Sequence, residues 1–153
     1  MKVLLISANT CTEPYPVYPL ALTYLATALR NEFNGIEIAI FDVNIDKDLA
    51  AFILRFNPDF TGISIRNIDN VNLYHEKNFV NDYRDLVKTV RSVSKSVIVV
   101  GGAGFSIYPQ KLFSYLDCDF GVTGEGEEAF CRLINAVNGM GDIAEIEGLV
   151  YLK

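Results

Sequence analysis

Two glycine clusters, each closing an apolar run, carry the chemistry of this sequence. Val97-Ile98-Val99-Val100 runs into Gly101-Gly102-Ala103-Gly104, and Val122-Thr123 runs into Gly124-Glu125-Gly126 ahead of Glu127 and Glu128. Glycine lets a ligand approach the backbone because no Cβ stands in the way, and it tolerates positive φ. In an open α/β sheet, ligands sit outside the carboxyl ends of the strands. Two such turns on neighbouring strands would make one floor for something flat and large. Tight strand-to-helix connections also use glycine, but one turn rarely needs three.

The side chains nearby narrow the ligand. Glu125, Glu127 and Glu128 at a helix start suit the positive end of its dipole, and they would repel a phosphate. No Gly-Lys-Ser/Thr follows, so this is not a P-loop. A dinucleotide fingerprint is also excluded, because the first strand ends Ser7-Ala8-Asn9-Thr10 without glycine. Glu125 suits amide or hydroxyl donors on a neutral ligand. Ser64-Ile65-Arg66-Asn67 is either an ordinary solvated strand end or a hydroxyl and a guanidinium along a ligand's edge. Nothing beside Cys11 marks it as an activated thiolate. Tyr15 and Tyr18 either wall a ligand or pack their own loop. His75, the only histidine, has no second histidine or cysteine at metal-ligand spacing and reads as a surface or capping residue. No residue is expected to be catalytic, and none to ligate a metal.

These turns need a scaffold, and the rest of the chain supplies one. Residues 3–8 are a continuous apolar run, the mark of a strand buried on both faces. A loop with Pro14, Pro16 and Pro19 follows, then helical spacing over residues 20–33, ended by Asn34-Gly35. Residues 36–41 read as a second strand closed by Asp42. Asp46 is expected to cap a helix through Phe56, which Asn57-Pro58 stops. Further strands are expected over residues 60–65, 97–100 and 120–123, with helices over 74–93, 107–116 and 127–137. Residues 148–153 suggest a short extra strand. Alternating strands and helices imply right-handed crossovers, hence a doubly wound, five-stranded parallel sheet with helices on both faces, of flavodoxin-like or Rossmann-like type.

Composition bounds the class. The 153 residues make one domain, half of them hydrophobic and 21% charged, which is globular rather than disordered. A net charge of −6 argues against a nucleic-acid surface. No run is long enough to span a bilayer, and no membrane partner is expected. Three widely spaced cysteines, Cys11, Cys118 and Cys131, imply no disulfide framework and fit a reducing cytoplasm.

Ordered blocks along the chain then bring a family into view. They are Pro19-Leu20-Ala21-Leu22-Thr23-Tyr24-Leu25-Ala26 with Leu29; Asp59-Phe60-Thr61-Gly62-Ile63-Ser64; Val99-Val100-Gly101-Gly102 with Ser106; Asp119 with Val122, Gly124-Glu125-Gly126-Glu127 and Phe130; and Ile146 through Tyr151. With these the chain resembles, over nearly its whole length, the N-terminal cobalamin-binding domain of cobalamin-dependent radical S-adenosylmethionine enzymes. The resemblance implies that the tail of cobalamin threads between the first and last helices while the corrin ring rests on the loops at the strand ends. The implied cofactor-binding residues are Thr10, Ser64, Arg66, Gly101, Gly102, Gly104, Thr123, Gly124, Glu125 and Gly126.

One departure is informative. Other cobalamin domains carry Asp-x-His-x-x-Gly after the first strand, whose histidine ligates cobalt, whereas here the loop reads Asn9-Thr10-Cys11-Thr12-Glu13-Pro14. Cobalamin is therefore expected without a histidine lower ligand from this loop. A Cys-x-x-x-Cys-x-x-Cys run is absent. The chain is accordingly expected to be an N-terminal fragment, with the [4Fe–4S] cluster and S-adenosylmethionine in a C-terminal barrel, and the parent a methyltransferase or related radical enzyme. The rival reading, in another class, is a cofactor-free interaction domain packed against that barrel. A free-standing flavin or nucleotide binder is a third, disfavoured by Glu125 and the lack of a phosphate loop.

Overall fold

The computed structural model describes residues 1–12, 15–70 and 77–152. Residues 13, 14, 71–76 and 153 lie outside the described residues. So do the reading of His75 and the first turn of the helix expected from residue 74.

Six strands form one sheet: β1 (Lys2–Ser7), β2 (Glu37–Asp42), β3 (Phe60–Ser64), β4 (Val97–Gly101), β5 (Phe120–Val122) and β6 (Leu149–Val150). Their order is β2-β1-β3-β4-β5-β6. The first five run parallel, and the extra C-terminal strand pairs antiparallel with β5. The helices are α1 (Leu20–Glu32), α2 (Leu49–Phe56), α3 (Val80–Val93), α4 (Pro109–Leu116) and α5 (Glu127–Val137). This is the doubly wound α/β arrangement expected, with the short sixth strand added.

Alternation along β1 splits the core into two layers, because successive strand residues face opposite sides. Val3 and Leu5 pack with Leu22, Ala26 and Leu29 of α1 and Phe130, Leu133 and Ile134 of α5. Leu4 and Ile6 pack with Ile53 of α2, Val87 and Val90 of α3, and Leu116 of α4. All four β1 residues are fully buried. Helices α1 and α5 thus share one face of the sheet. Across β3 and β4 the register sets Gly62 opposite Val99 and Ser64 opposite Gly101, so the strand ends are level.

Three local expectations change. The cap of α2 is Asp48, not Asp46: Asp48 sits in the left-handed region at φ 58° and its side chain accepts from the Ala51 N–H. Asp46 instead accepts from the Asp42 N–H and closes the turn after β2. Helix α3 begins at Val80, because Asn78 pairs in an isolated bridge with Asp69 and its side chain accepts from the Val80 N–H. The helix expected over 107–116 is two pieces, a 3-10 turn (Phe105–Ile107) and α4.

The loop after β3 is tied down by Tyr83, whose hydroxyl donates to the Asn67 carbonyl at 2.7 Å. Burial, assisted by the Asp82 charge, pushes the Tyr83 phenol up to about 12. The folded state therefore holds this proton more tightly than the unfolded chain, where the phenol titrates near 10. The stabilisation is complete below pH 10 and is lost as pH climbs from 10 towards 12. Replacing Tyr83 by Phe is expected to cost about 1 kcal/mol at neutral pH. It should also lessen the alkaline fall in stability, read from urea unfolding at neutral pH and above pH 10.

Candidate functional site

Between α1 and α5, at the carboxyl ends of β3, β4 and β5, lies a slot of about 240 Å3. Leu22 and Leu25 of α1 and Phe130 of α5 wall it, and Gly62, Val99 and Val122 lie along its floor. Its mouth is lined by Ser64, Gly101, Gly102, Gly124, Glu125 and Gly126. At the far end the helices close on each other, where the Asn135 side-chain amide donates to Glu32 Oε1 at 3.2 Å.

The glycines serve two purposes. Gly102 has φ +99°, and a Cβ there would lie 2.6 Å from the Ile65 carbonyl oxygen. Gly102 therefore lets the turn after β4 press backbone to backbone against the loop after β3. Gly124 and Gly126 differ, since a Cβ at either would meet nothing within 4 Å. Gly126 keeps space open, and Gly124 does so while also taking φ +74°, which side chains disfavour. Gly62, like Gly102, permits close approach: a Cβ would stand 3.0 Å from Leu5 Cδ2 and 3.1 Å from Phe130 Cε1, so glycine lets Phe130 settle close to the sheet.

A single hydroxyl joins the two glycine turns. Ser106 Oγ donates to the Gly102 carbonyl at 3.1 Å and accepts from the Gly124 N–H at 3.0 Å. The mouth is polar for a further reason. No side chain caps α5, so its first amides have no partner within the helix, while Glu127 and Glu128 occupy its first turn. Glu125 is exposed on the rim.

Six of the ten residues expected to bind the cofactor, Ser64, Gly101, Gly102, Gly124, Glu125 and Gly126, line this slot. The other four do not. Gly104 is packed against the Arg66 carbonyl, 2.9 Å from where its Cβ would be. Thr123 spends its N–H and hydroxyl on the Gly148 carbonyl at 2.9 and 3.0 Å, fastening β5 to the turn before β6. Arg66 lines a separate hollow of about 440 Å3 with Asn9, Cys11, Tyr15, Pro16, Val17, Tyr18 and Asn67. Thr10 adjoins that hollow in sequence, and its Oγ1 is buried with no hydrogen-bond partner among the described residues.

Reading the residues alone misses Gly62, Leu22, Leu25, Val99, Val122, Phe130 and the bridging role of Ser106. Only Gly62 leaves a signal, since glycine inside a strand marks a close approach. The two buried thiols are held in the protonated form: desolvation pushes Cys118 up to about 12 and Cys131 to about 11. Among the described residues no group of three or more His, Cys, Asp or Glu could hold a metal ion.

An open α/β sheet with a glycine-mouthed slot at its strand ends defines a ligand-holding module. The chain belongs to the B12-binding domain family, whose model matches residues 6–134. It is similar to the tryptophan 2-C-methyltransferase of Streptomyces laurentii, 33% identical over 127 residues, covering 80% of this chain and 21% of that enzyme. An uncharacterised methyltransferase of Pyrococcus horikoshii is 29% identical over 162 residues, covering 99% of this chain and 32% of that protein. Among solved structures, the radical S-adenosylmethionine methyltransferase TsrM from Kitasatospora setae, with cobalamin and a [4Fe–4S] cluster bound, superimposes with TM-score 0.85 at 32% identity, over 99% of this chain and 27% of that one. OxsB with aqua-cobalamin shares the fold at TM-score 0.76 and 22% identity, over 99% of this chain and 21% of that one. The chain is thus a B12-binding domain homologous to cobalamin-dependent radical S-adenosylmethionine methyltransferases, and it spans about a fifth to a third of these relatives' length.

The two kinds of glycine predict costs of different size. Gly102→Ala is expected to destabilise the fold by more than 1 kcal/mol, on the order set by a strained positive φ plus a backbone clash. Gly126→Ala should cost no more than about 1 kcal/mol, the loss of a good N-cap residue. Thermal and urea unfolding of the two variants decide between them.

Proposed function

We propose that this chain binds cobalamin by its tail, in the slot between α1 and α5, and is the cofactor-holding module of a radical S-adenosylmethionine methyltransferase. The observation that carries the reading is the slot itself. At about 240 Å3 it falls below the roughly 300–1,000 Å3 of sites that engulf a whole drug-sized ligand. It suits a narrow arm of a larger molecule whose body stays on the rim. Membership of the B12-binding family and the likeness to TsrM support the same ligand.

The residues present fit that ligand. Leu22, Leu25, Val122 and Phe130 hold the tail and exclude water, while the Ser64 hydroxyl and the backbone of Gly101 and Gly102 take its polar part. Glu125 and the first amides of α5 offer an acceptor and donors to amide side chains at the mouth. Thr10 Oγ1, buried without a hydrogen-bond partner among the described residues, and the hollow holding Arg66, Tyr15 and Tyr18 would lie under the ring on this reading. The first loop carries no histidine, so the residues that would orient the ring are those of the slot and its rim. Bound cobalamin supplies a cobalt able to carry a methyl group, and the protein supplies position and a dry surface.

The [4Fe–4S] cluster, S-adenosylmethionine and substrate belong, on this reading, to a barrel in the rest of a parent chain. The methyltransferase relatives, each several times longer than this domain, support that assignment. An acidic net charge of −6 disfavours a nucleic-acid partner. No helix among the described residues is long and apolar enough to cross a membrane, and three widely spaced cysteines suit a cytoplasmic setting.

Titration of hydroxocobalamin into the purified chain, followed by corrin absorbance and heat, is expected to saturate. Gly126→Val should weaken binding at least tenfold, about 1.4 kcal/mol, by putting a side chain where the mouth is open. Absence of binding by the folded wild-type chain would favour the cofactor-free scaffold.

A further inference from the structure

We propose that the slot selects the base at the end of the tail, taking a benzimidazole in preference to a purine such as adenine. This rests on the cobalamin reading above and adds to it a choice among corrinoids.

The polar groups of the slot sit at its mouth. Ser64 pairs across the sheet with Gly101 at the strand ends, whereas two residues further in the floor is Gly62 opposite Val99. The walls at that depth are Leu25 and Phe130, each about one turn into its helix. None of these four side chains carries a hydrogen-bonding atom. The backbone of Gly62 and Val99 is committed to the parallel ladder joining β3 to its neighbours. A base that reaches this layer meets hydrocarbon on every side chain.

The two bases differ in what they lose there. Dimethylbenzimidazole has an apolar rim with two methyl groups, and burying methyl surface is favourable. Adenine carries an exocyclic amine and several ring nitrogens that water satisfies. Burial without partners forfeits those hydrogen bonds. A hydrophobic pocket separates such ligands by about 10- to 100-fold, not by the larger factors of a hydrogen-bonding site.

The test uses three probes on the wild-type chain: hydroxocobalamin, the corrinoid bearing adenine in place of dimethylbenzimidazole, and cobinamide, which lacks the nucleotide. Hydroxocobalamin is expected to bind about 10- to 100-fold more tightly than the adenine form, with cobinamide no better than the latter. Leu25 is half-buried, so Leu25→Gln is compatible with folding. Its amide should narrow the ratio between the two bases, with the fold checked by circular dichroism. Equal affinity for the benzimidazole and adenine forms, or for hydroxocobalamin and cobinamide, overturns the selectivity and leaves cobalamin binding standing. An unchanged ratio in folded Leu25→Gln removes the wall from the account. Failure of all three to bind the wild-type chain overturns both.

Discussion

The parallel register of β3 and β4 is the constraint on which the site depends. It brings Ser64 level with Gly101 and Gly62 level with Val99, so that small residues fall together beneath the gap between α1 and α5. Any shift of one residue would turn these positions to the opposite face, because side chains alternate along a strand. The register is held by a core packed on both sides: Leu5 and Val99 belong to the α1 and α5 layer, and Leu4, Ile98 and Val100 to the layer of α2, α3 and α4. The same burial that stabilises the domain therefore positions the opening.

Around that register, local devices fix the mouth. The backbone contact at Gly102 sets the height of the turn after β4. Ser106 carries that position across to Gly124 through two hydrogen bonds, each worth on the order of 1 kcal/mol. Thr123 anchors the other side of the second turn to Gly148, before β6. The extra antiparallel strand thus does more than cap a sheet edge. It braces the turn that opens into α5. Neither hydroxyl lies free for a ligand, so Ser106 and Thr123 act on the site through the backbone they hold.

Much of this was legible in the sequence, for reasons particular residues make plain. Buried parallel strands must be apolar on both faces, so the runs at Val3 and Val97 announced β1 and β4 within a residue of their limits. The glycine turns stood out because glycine is chosen there for space or for positive φ. Other features depend on contacts between distant segments. Asp46 and Asp48 are the same residue type two positions apart, and only the tertiary course of the chain puts Asp48 at φ 58° to cap α2. The start of α3 follows from the pairing of Asn78 with Asp69. Leu25 and Phe130 were invisible as site residues, because an apolar residue lining a slot looks like one filling a core. Gly104 and Thr123 stand outside the slot, each carrying a type suited to a ligand while packed or bonded to this chain's own backbone.

If the slot takes the tail, the base it grips cannot also reach the cobalt. The absorption spectrum of methylcobalamin mixed with the folded chain tests this directly, because the corrin bands report whether its own benzimidazole is coordinated. The account predicts a bound spectrum of the detached form, as seen for the free cofactor in acid. Saturable binding with the spectrum of the coordinated form would contradict it.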